Sequence, residues 1–357
     1  MSFKKILVIN TFGIGDVLFT TPLIKNIKLN LPQIFIGYIA NRRTAPLLEK
    51  NPCIDRVYVY ERDEHHALWK KSKRQFFREF WRFFSMIRRE RYDAVIDLSL
   101  QSFFSFAACF SGIPRRFGFN YKNRSPWLTH KIFLEAYERK HVVQYYLDIL
   151  TVLGLEIRTA NLELSIDEKA RRWAGEFLTR HFPSGQTVIA VAPGGGASWG
   201  KEARYKQWAA EKYAELADKI IEKFSVVVIL VGDQTDQELC AHVARLMRRP
   251  VVIGAGETDL QQCAALLSRC AFVILNDGGL LHVAVAAGAK TLSIFGPVDE
   301  KVYGPYPGDG HTIVTHPALC RPCYRQFRRA QCEHVSCLTG IEVNDVFSAV
   351  ERIMNKK

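Results

Sequence analysis

The sequence predicts an α/β protein built from two doubly wound domains. Strand-sized apolar runs alternate with helical stretches along most of the chain. The runs are nearly continuous in Val, Ile and Leu, as in parallel sheets covered on both faces. The pattern also restarts: "ILVINTFGIGD" from Ile6 opens one series and "TVIAVAPGGGASWG" from Thr187 opens another. A length of 357 residues suits two domains, and a hydrophobic fraction of 48% is ordinary for a chain with real cores.

In the first series the expected strands are "ILVIN" at Ile6, "IFIGYIA" at Ile34, "RVYVY" at Arg56 and "DAVIDLSL" at Asp93. Helical patterns separate them, "DVLFTTPLIKNIKLN" after the first strand and one long stretch from Ala67 to Arg91. The second series has "TVIAVAP" at Thr187, "SVVVILVG" at Ser225, "PVVIG" at Pro250, "AFVILND" at Ala271 and "KTLSIFGP" at Lys290. Each series thus gives a sheet of four or five strands. The polar stretch "ELSIDEKARRW", residues 163–173, marks the boundary, so the domains are read as 1–168 and 169–357. Ligands of such sheets bind at the carboxyl ends of the strands, and a cleft between two facing sheets is the expected site.

The apolar run near the N-terminus is too short for a signal peptide or a spanning helix, so a cytoplasmic, soluble protein is expected. Nine cysteines, an odd number without an export signal, read as reduced thiols. A net charge of +13 favours an acidic partner: nucleic acid, an anionic membrane surface or a phosphorylated substrate.

The turn "NTFGIGDVLFTTP" from Asn10 has the outline of a phosphate loop. A dinucleotide fingerprint, however, needs a third glycine where Leu18 stands and an acid after the second strand, where "GYIANRR" offers none. Asp16 in the first helical turn would also repel a pyrophosphate. Two readings of Asp16 remain: a first-turn acid favoured by the helix dipole, or a general base pointing at a substrate that Gly13 and Gly15 admit close to the backbone.

The second series holds the better anion site. In "VILNDGGLLHVAVAAG" a strand ends at Asn276 and Asp277, and Gly278 and Gly279 open a helix whose N-terminal amides would face an anion. Asp277 could accept from ribose hydroxyls or cap the helix, and His282 sits one turn in. The turn "APGGGASWGKEARYKQW" adds Gly194, Gly195 and Gly196, followed by Lys201, Arg204 and Lys206.

Together these segments resemble glycosyltransferase family 9, the heptosyltransferases of lipopolysaccharide inner-core assembly. "ILVINTFGIGDVLFTTPLIKNIK" is similar to the family's N-terminal signature, "APGGG…YKQW" to its central loop with Lys-x-Trp, and "NDGGLLHVAVAAG…SIFGPVDEKVYGPY" to its nucleotide-binding stretch. The resemblance implies a GT-B fold, two Rossmann-like domains facing each other across a cleft. It puts the acceptor on the first domain and the nucleotide-sugar on the second, and has the last helix, near Val343–Met354, cross back to the first. It also implies that Asp16 is the general base, that Lys206 contacts the donor diphosphate, and that Asp277, Gly278, Gly279 and His282 surround the nucleotide. Two positions depart from the family pattern: Gly278 stands where Thr is usual, and Ala209 where Pro is usual.

The chemistry fits these parts. Sugar transfer needs an acceptor hydroxyl deprotonated as it attacks, which a general base promotes about 10²–10⁴-fold. The leaving diphosphate needs positive charge, which Lys206 and the helix N-terminus after Asp277 would supply. Neither turn contains an Asp-x-Asp pair, so metal-independent, inverting transfer without a cofactor is expected. The first reading is ADP-heptose as donor and a lipopolysaccharide inner-core acceptor. Another nucleotide-sugar and glycan is the alternative that Gly278 keeps open. A GT-B-like epimerase or hydrolase would need no acceptor-docking surface.

Such a surface is suggested by "HHALWKKSKRQFFREFWRFFSMIRRER", His65 to Arg91, which carries nine Lys/Arg and two acids. Phe76, Phe80, Phe83, Phe84 and Ile87 follow helical spacing and should face a core. That leaves Phe77 and Trp81 beside Lys70, Lys73, Arg74 and Arg78, either a solvated flank or a surface docking on the inner membrane or its phosphorylated glycolipid. No nucleic-acid recognition motif accompanies the charge. Finally, Cys320, Cys323, Cys332 and Cys337 are spaced C-x₂-C-x₈-C-x₄-C, a spacing open to a structural zinc or to a metal-free cysteine loop.

Overall fold

The computed structural model describes residues 3–195 and 197–355, which form two compact units meeting at Ser165 and Ile166. The first holds β1 (Lys5–Ile9), β2 (Phe35–Ala40), β3 (Arg56–Val59), β4 (Ala94–Asp97), β5 (Arg115–Tyr121) and β6 (His130–Leu134). The second holds β7 (Val188–Ala192), β8 (Val227–Leu230), β9 (Val252–Ile253), β10 (Val273–Asn276), β11 (Thr291–Phe295) and β12 (Thr312–Thr315). Pairing within both sheets is parallel, in the orders β3-β2-β1-β4-β5-β6 and β12-β11-β10-β7-β8-β9. Renumbered within its own unit, the second order repeats the first. Each sheet therefore reverses direction between its first and fourth strands, β1/β4 and β7/β10, where doubly wound folds place ligands.

Six strands per sheet exceed the four or five expected. The additional strands β5, β6 and β12 are only partly buried and carry Arg, His, Lys and Thr, so they lack the continuous apolar run of the inner strands.

The helices of the first unit are α1 (Ile14–Leu18), α2 (Thr21–Asn30), α3 (Ala45–Leu48), α4 (Arg62–Lys71), α5 (Lys73–Glu90), α6 (Ser102–Phe110) and α7 (Val142–Leu153). Two stretches expected as single helices are broken. Phe19 and Thr20 separate α1 from α2, with Pro22 in the first turn of α2, where its missing N–H costs nothing. Ser72 is extended (φ −159°) between α4 and α5, and its hydroxyl caps α5 by accepting from Gln75 N at 3.3 Å. The apolar side of α5 is buried through Phe80, Phe84 and Ile87, with Phe76 and Phe83 partly buried, against Leu7, Ile9, Ile39, Val95 and Phe104. Each fully buried ring contributes roughly 1.5–3 kcal/mol.

The chain leaves the first unit along α2. Asn26, fully buried, donates to Thr159 O (2.6 Å) and accepts from the backbone N–H groups of Arg158 (2.5 Å) and Thr159 (3.1 Å).

In the second unit lie α8 (Glu168–His181), α9 (Ala210–Phe224), α10 (Gln237–Leu246), α11 (Leu260–Leu267), α12 (Gly279–Ala286), α13 (Glu300–Tyr303), α14 (Ser336–Thr339) and α15 (Val343–Asn355). The final helix, α15, packs Val346, Ala349 and Val350 into the core of this unit against α9 and β12. No helix among the described residues is long and apolar enough to cross a membrane.

Candidate functional site

At the end of β1 the backbone of the first turn is held by two asparagines. Asn10 accepts from Phe12 N (3.0 Å) and donates to Asp16 O (3.2 Å), while Asn41, just past β2, donates to Thr11 O (3.0 Å) and Phe12 O (2.7 Å). Asp16, in α1, accepts from Gly13 N at 3.3 Å through Oδ2. The carboxylate thus does what a first-turn acid does, closing back on the residue before the helix. Its charge is also felt by three buried tyrosines, Tyr38, Tyr137 and Tyr146, whose hydroxyls burial raises above their ordinary range and Asp16 raises further. Gly13 has an extended backbone (φ −73°, ψ 176°) that any residue adopts, so no left-handed turn requires glycine there. Gly15 lies inside α1.

A second carboxylate ends β4, beside β1. Asp97 is 4% exposed and accepts from the Ser99 hydroxyl (2.6 Å) and Ser99 N (3.0 Å). Burial raises its pKa from an ordinary 3.8 to about 6, with the Ser99 hydrogen bonds opposing the rise. The sequence analysis gave Asp97 no role, since within "DAVIDLSL" it reads only as a strand terminus.

On the second sheet, the ends of β7 and β10 are locked together by Asn276. Its side chain donates to Pro193 O (2.8 Å) and Gly194 O (3.0 Å) and accepts from Trp208 N (3.0 Å). Gly194 lies hard against the Asp236 carboxylate: a Cβ there would meet Oδ1 at 2.1 Å, so a larger residue would have to displace that side chain. Gly195 is required conformationally, at φ +124°. Asp236, after β8, accepts from Asp233 N at 3.2 Å. Its pKa is raised by burial and then by the Asp233 charge, while the N–H groups of Asp233 and Gly195 pull the other way. Gly196, the third glycine of this turn, lies outside the described residues, as does the side chain of Lys201.

Lys206 ends the 3-10 segment Ala197–Lys206, kinked at Gly200, and its Nζ is 2.7 Å from Asp277 Oδ2. The two side chains are only 10% and 4% exposed, and the ammonium lies 4.4 Å from the centre of the Trp199 ring. Lys206 and Asp277, separate donor contacts in the sequence reading, are here one buried ion pair beside the N-terminus of α12. Gly278 precedes that helix in extended conformation (φ 174°), Gly279 is its first residue, and His282 is buried within it. The segment bearing Lys206 is covered by the antiparallel hairpin Tyr324–Arg329: Tyr324 packs on Trp199 (5.0 Å between centroids), and Arg329 stacks on Tyr205 (3.7 Å) and reaches Glu202 (2.8 Å).

Near this hairpin lie the four cysteines of the C-x₂-C-x₈-C-x₄-C run; among the described residues no group of three or more His, Cys, Asp or Glu is arranged to hold a metal. Cys320 is exposed, whereas Cys337 belongs to the hydrophobic core with its thiol pushed up to about 11, by burial first and then by the neighbouring Cys323, Cys320 and Cys332.

A family model, glycosyltransferase family 9 (heptosyltransferase), matches residues 80–334, well over half of the chain. The chain belongs to glycosyltransferase family 9. Lipopolysaccharide heptosyltransferase 2 of Escherichia coli K12 is 27% identical over 307 residues, covering 82% of this chain and 83% of that protein. Lipopolysaccharide heptosyltransferase 3 of Escherichia coli is 24% identical over 298 residues, with the same coverage. Among solved structures, the family 9 glycosyl transferase of Veillonella parvula superposes with a TM-score of 0.83 at 22% identity, covering 99% of this chain and 98% of that one. The Escherichia coli ADP-heptose lps heptosyltransferase II gives 0.74 at 23% identity, covering 98% of each. This family 9 glycosyltransferase thus has the GT-B fold that the resemblance implies.

Of the residues singled out from sequence, the structure brings Asp16, Gly13 and Gly15 together at the end of β1, and Gly194, Gly195, Lys206, Asp277, Gly278 and Gly279 together at the β7/β10 reversal. What sequence reasoning missed is the set that fixes these turns: Asn10, Asn41, Asn276, Asp236 and Trp199. An Asn at the last position of an apolar strand, as at Asn276, is the one local sign that a turn is being tied down.

Proposed function

We propose that this glycosyltransferase moves a heptose from ADP-heptose to a lipopolysaccharide inner-core acceptor, with inversion and without a metal, at the inner face of the cytoplasmic membrane. The observation that carries the reading is the buried Lys206–Asp277 pair at the N-terminus of α12. It is a cation held in place where a leaving diphosphate would be met by helix amides. Lysine has three donors and Asp277 engages one face of the ammonium, leaving others for phosphate oxygens. The acceptor hydroxyl attacks the anomeric carbon as its proton passes to Asp16. The bond from that carbon to the diphosphate breaks, and ADP departs with the electron pair. One displacement inverts the centre. Gly194, Gly195, Gly279 and His282 complete the donor side, and Gly13 and Gly15 the acceptor side.

The names of the relatives, lipopolysaccharide heptosyltransferases 2 and 3, support this donor and acceptor class. A second reading keeps the chemistry but changes the nucleotide-sugar, because Gly278 lacks the hydroxyl that the family pattern puts beside the phosphates.

Thermal shift with ADP-heptose and with UDP-, GDP- and CMP-sugars separates the two: stabilisation by ADP-heptose alone is expected, and preference for another nucleotide would replace the first reading with the second. Asp16→Asn is expected to bind donor as wild type does and to lose at least about 10²-fold in turnover; wild-type turnover would remove Asp16 as the base. Turnover unchanged by EDTA is the result expected for metal-independent transfer.

A further inference from the structure

The first unit exposes an aromatic strip that no part of the chemistry uses. Trp69, Phe77, Trp81, Phe110 and Trp127 are 41%, 48%, 51%, 50% and 39% exposed, although Phe80 and Phe84 of the same α5 helix are buried. Phe77 and Trp81 lie one turn apart on α5. Trp69 of α4 packs edge-on against Phe77 at 5.9 Å. Trp81 meets Phe110 of α6 at 6.5 Å, Phe110 meets Phe106 at 4.5 Å, and Phe106 meets Trp127 of the β5–β6 connection at 5.1 Å. Single exposed rings are normal on a soluble surface; two groups of contacting rings, one helical turn apart and drawn from three helices and a loop, mark an interaction site.

The charge around the strip selects the partner. Lys70, Lys73, Arg74, Arg78 and Arg82 flank it, and Glu79 is the one acid between His65 and Glu90. Arg78 and Arg82 remain 72% and 77% exposed. Lys73 Nζ lies 5.4 Å from the centre of the Trp69 ring. Tryptophan and phenylalanine with long cationic side chains beside them are what a polar–apolar boundary of anionic lipid recruits: rings settle at headgroup depth while Lys and Arg reach the phosphates. No nucleic-acid recognition motif accompanies the charge, and a second copy of this chain would bring its own positive patch against this one.

We propose that the α4–α5–α6 aromatic strip docks the protein on an anionic phospholipid bilayer, lying in the headgroup layer and spanning nothing. The purpose of such docking rests on the acceptor being lipid-borne, but its test does not. Full-length protein is sedimented with phosphatidylcholine vesicles, with and without phosphatidylglycerol, no acceptor or nucleotide-sugar present. Expected is binding to the anionic vesicles that weakens with salt, with a blue shift of tryptophan fluorescence. Phe77→Ser/Trp81→Ser should lower partitioning by about tenfold or more, at unchanged thermal midpoint and ADP binding. Lys73→Glu/Arg74→Glu/Arg78→Glu should do the same without touching the rings. Vesicle binding equal in wild type and both variants overturns the proposal, as does binding that appears only when the glycolipid acceptor is included. So does a wild-type dimer that Phe77→Ser/Trp81→Ser splits. Failure of ADP-heptose to bind would leave all of these readouts in place.

Discussion

Asp97 and the Lys206–Asp277 pair show two ways in which a single residue stores unfavourable electrostatics. The Asp97 carboxyl is protonated more readily in the folded chain, near 6, than its ordinary 3.8. The cost of ionising it is therefore absent below about pH 3.8, grows between the two values and is complete above about 6, where it reaches up to about 3 kcal/mol. Asp97→Asn keeps an oxygen for Ser99 and removes the charge. Urea unfolding should find the variant more stable than wild type at pH 7.5, by up to that amount, and the difference should shrink at pH 5. At the other pair, Lys206→Ala leaves Asp277 buried without its cation. A loss of about 3–5 kcal/mol in unfolding free energy is expected, together with weaker ADP binding in calorimetry.

At the scale of elements, the turns are specified by what surrounds them. Gly194→Ala drives a Cβ onto Asp236, and Gly195→Ala holds a non-glycine residue at φ +124°, a strain of about 1–3 kcal/mol. Gly278→Thr, by contrast, enters an extended backbone and should change the thermal midpoint by no more than about 0.5 kcal/mol in equivalent stability, as differential scanning calorimetry can check. Asn26→Ala strips the strap at 156–163 of a buried anchor, and faster proteolytic cleavage of that segment is the expected readout. The glycine-rich turns and inner strands were legible because local spacing encodes them: "VILNDGG" ends a strand and starts a helix whatever else the chain does. The β5, β6 and β12 strands were not, because half-buried charged segments become strands only through pairing with a neighbour. Nor was the Lys206–Asp277 contact, made between residues 71 positions apart. Nor was the break at Ser72, which lies inside an unbroken amphipathic run.

The molecule as a whole is one plan used twice. Both sheets have six parallel strands in the same internal order, and no strand belongs to both. If the proposed division of labour is correct, ADP at about 100 times its dissociation constant stabilises the chain by roughly 2.7 kcal/mol. Hydrogen exchange should then slow at the turns after β7 and β10 while the turn after β1 keeps its rate.

Repetition of the plan also bears on how such a chain can diversify. On the proposed function, a lineage that switches to a different sugar nucleotide need rewrite only a few positions around Pro193, Asp236 and Asp277. The ladder beneath Asn10 and Asp16 is untouched by those edits, since its hydrogen bonds close within another sheet. With donor and acceptor divided as proposed, substrate choice on the two sides can change independently, while the doubly wound backbone of each unit stays the same.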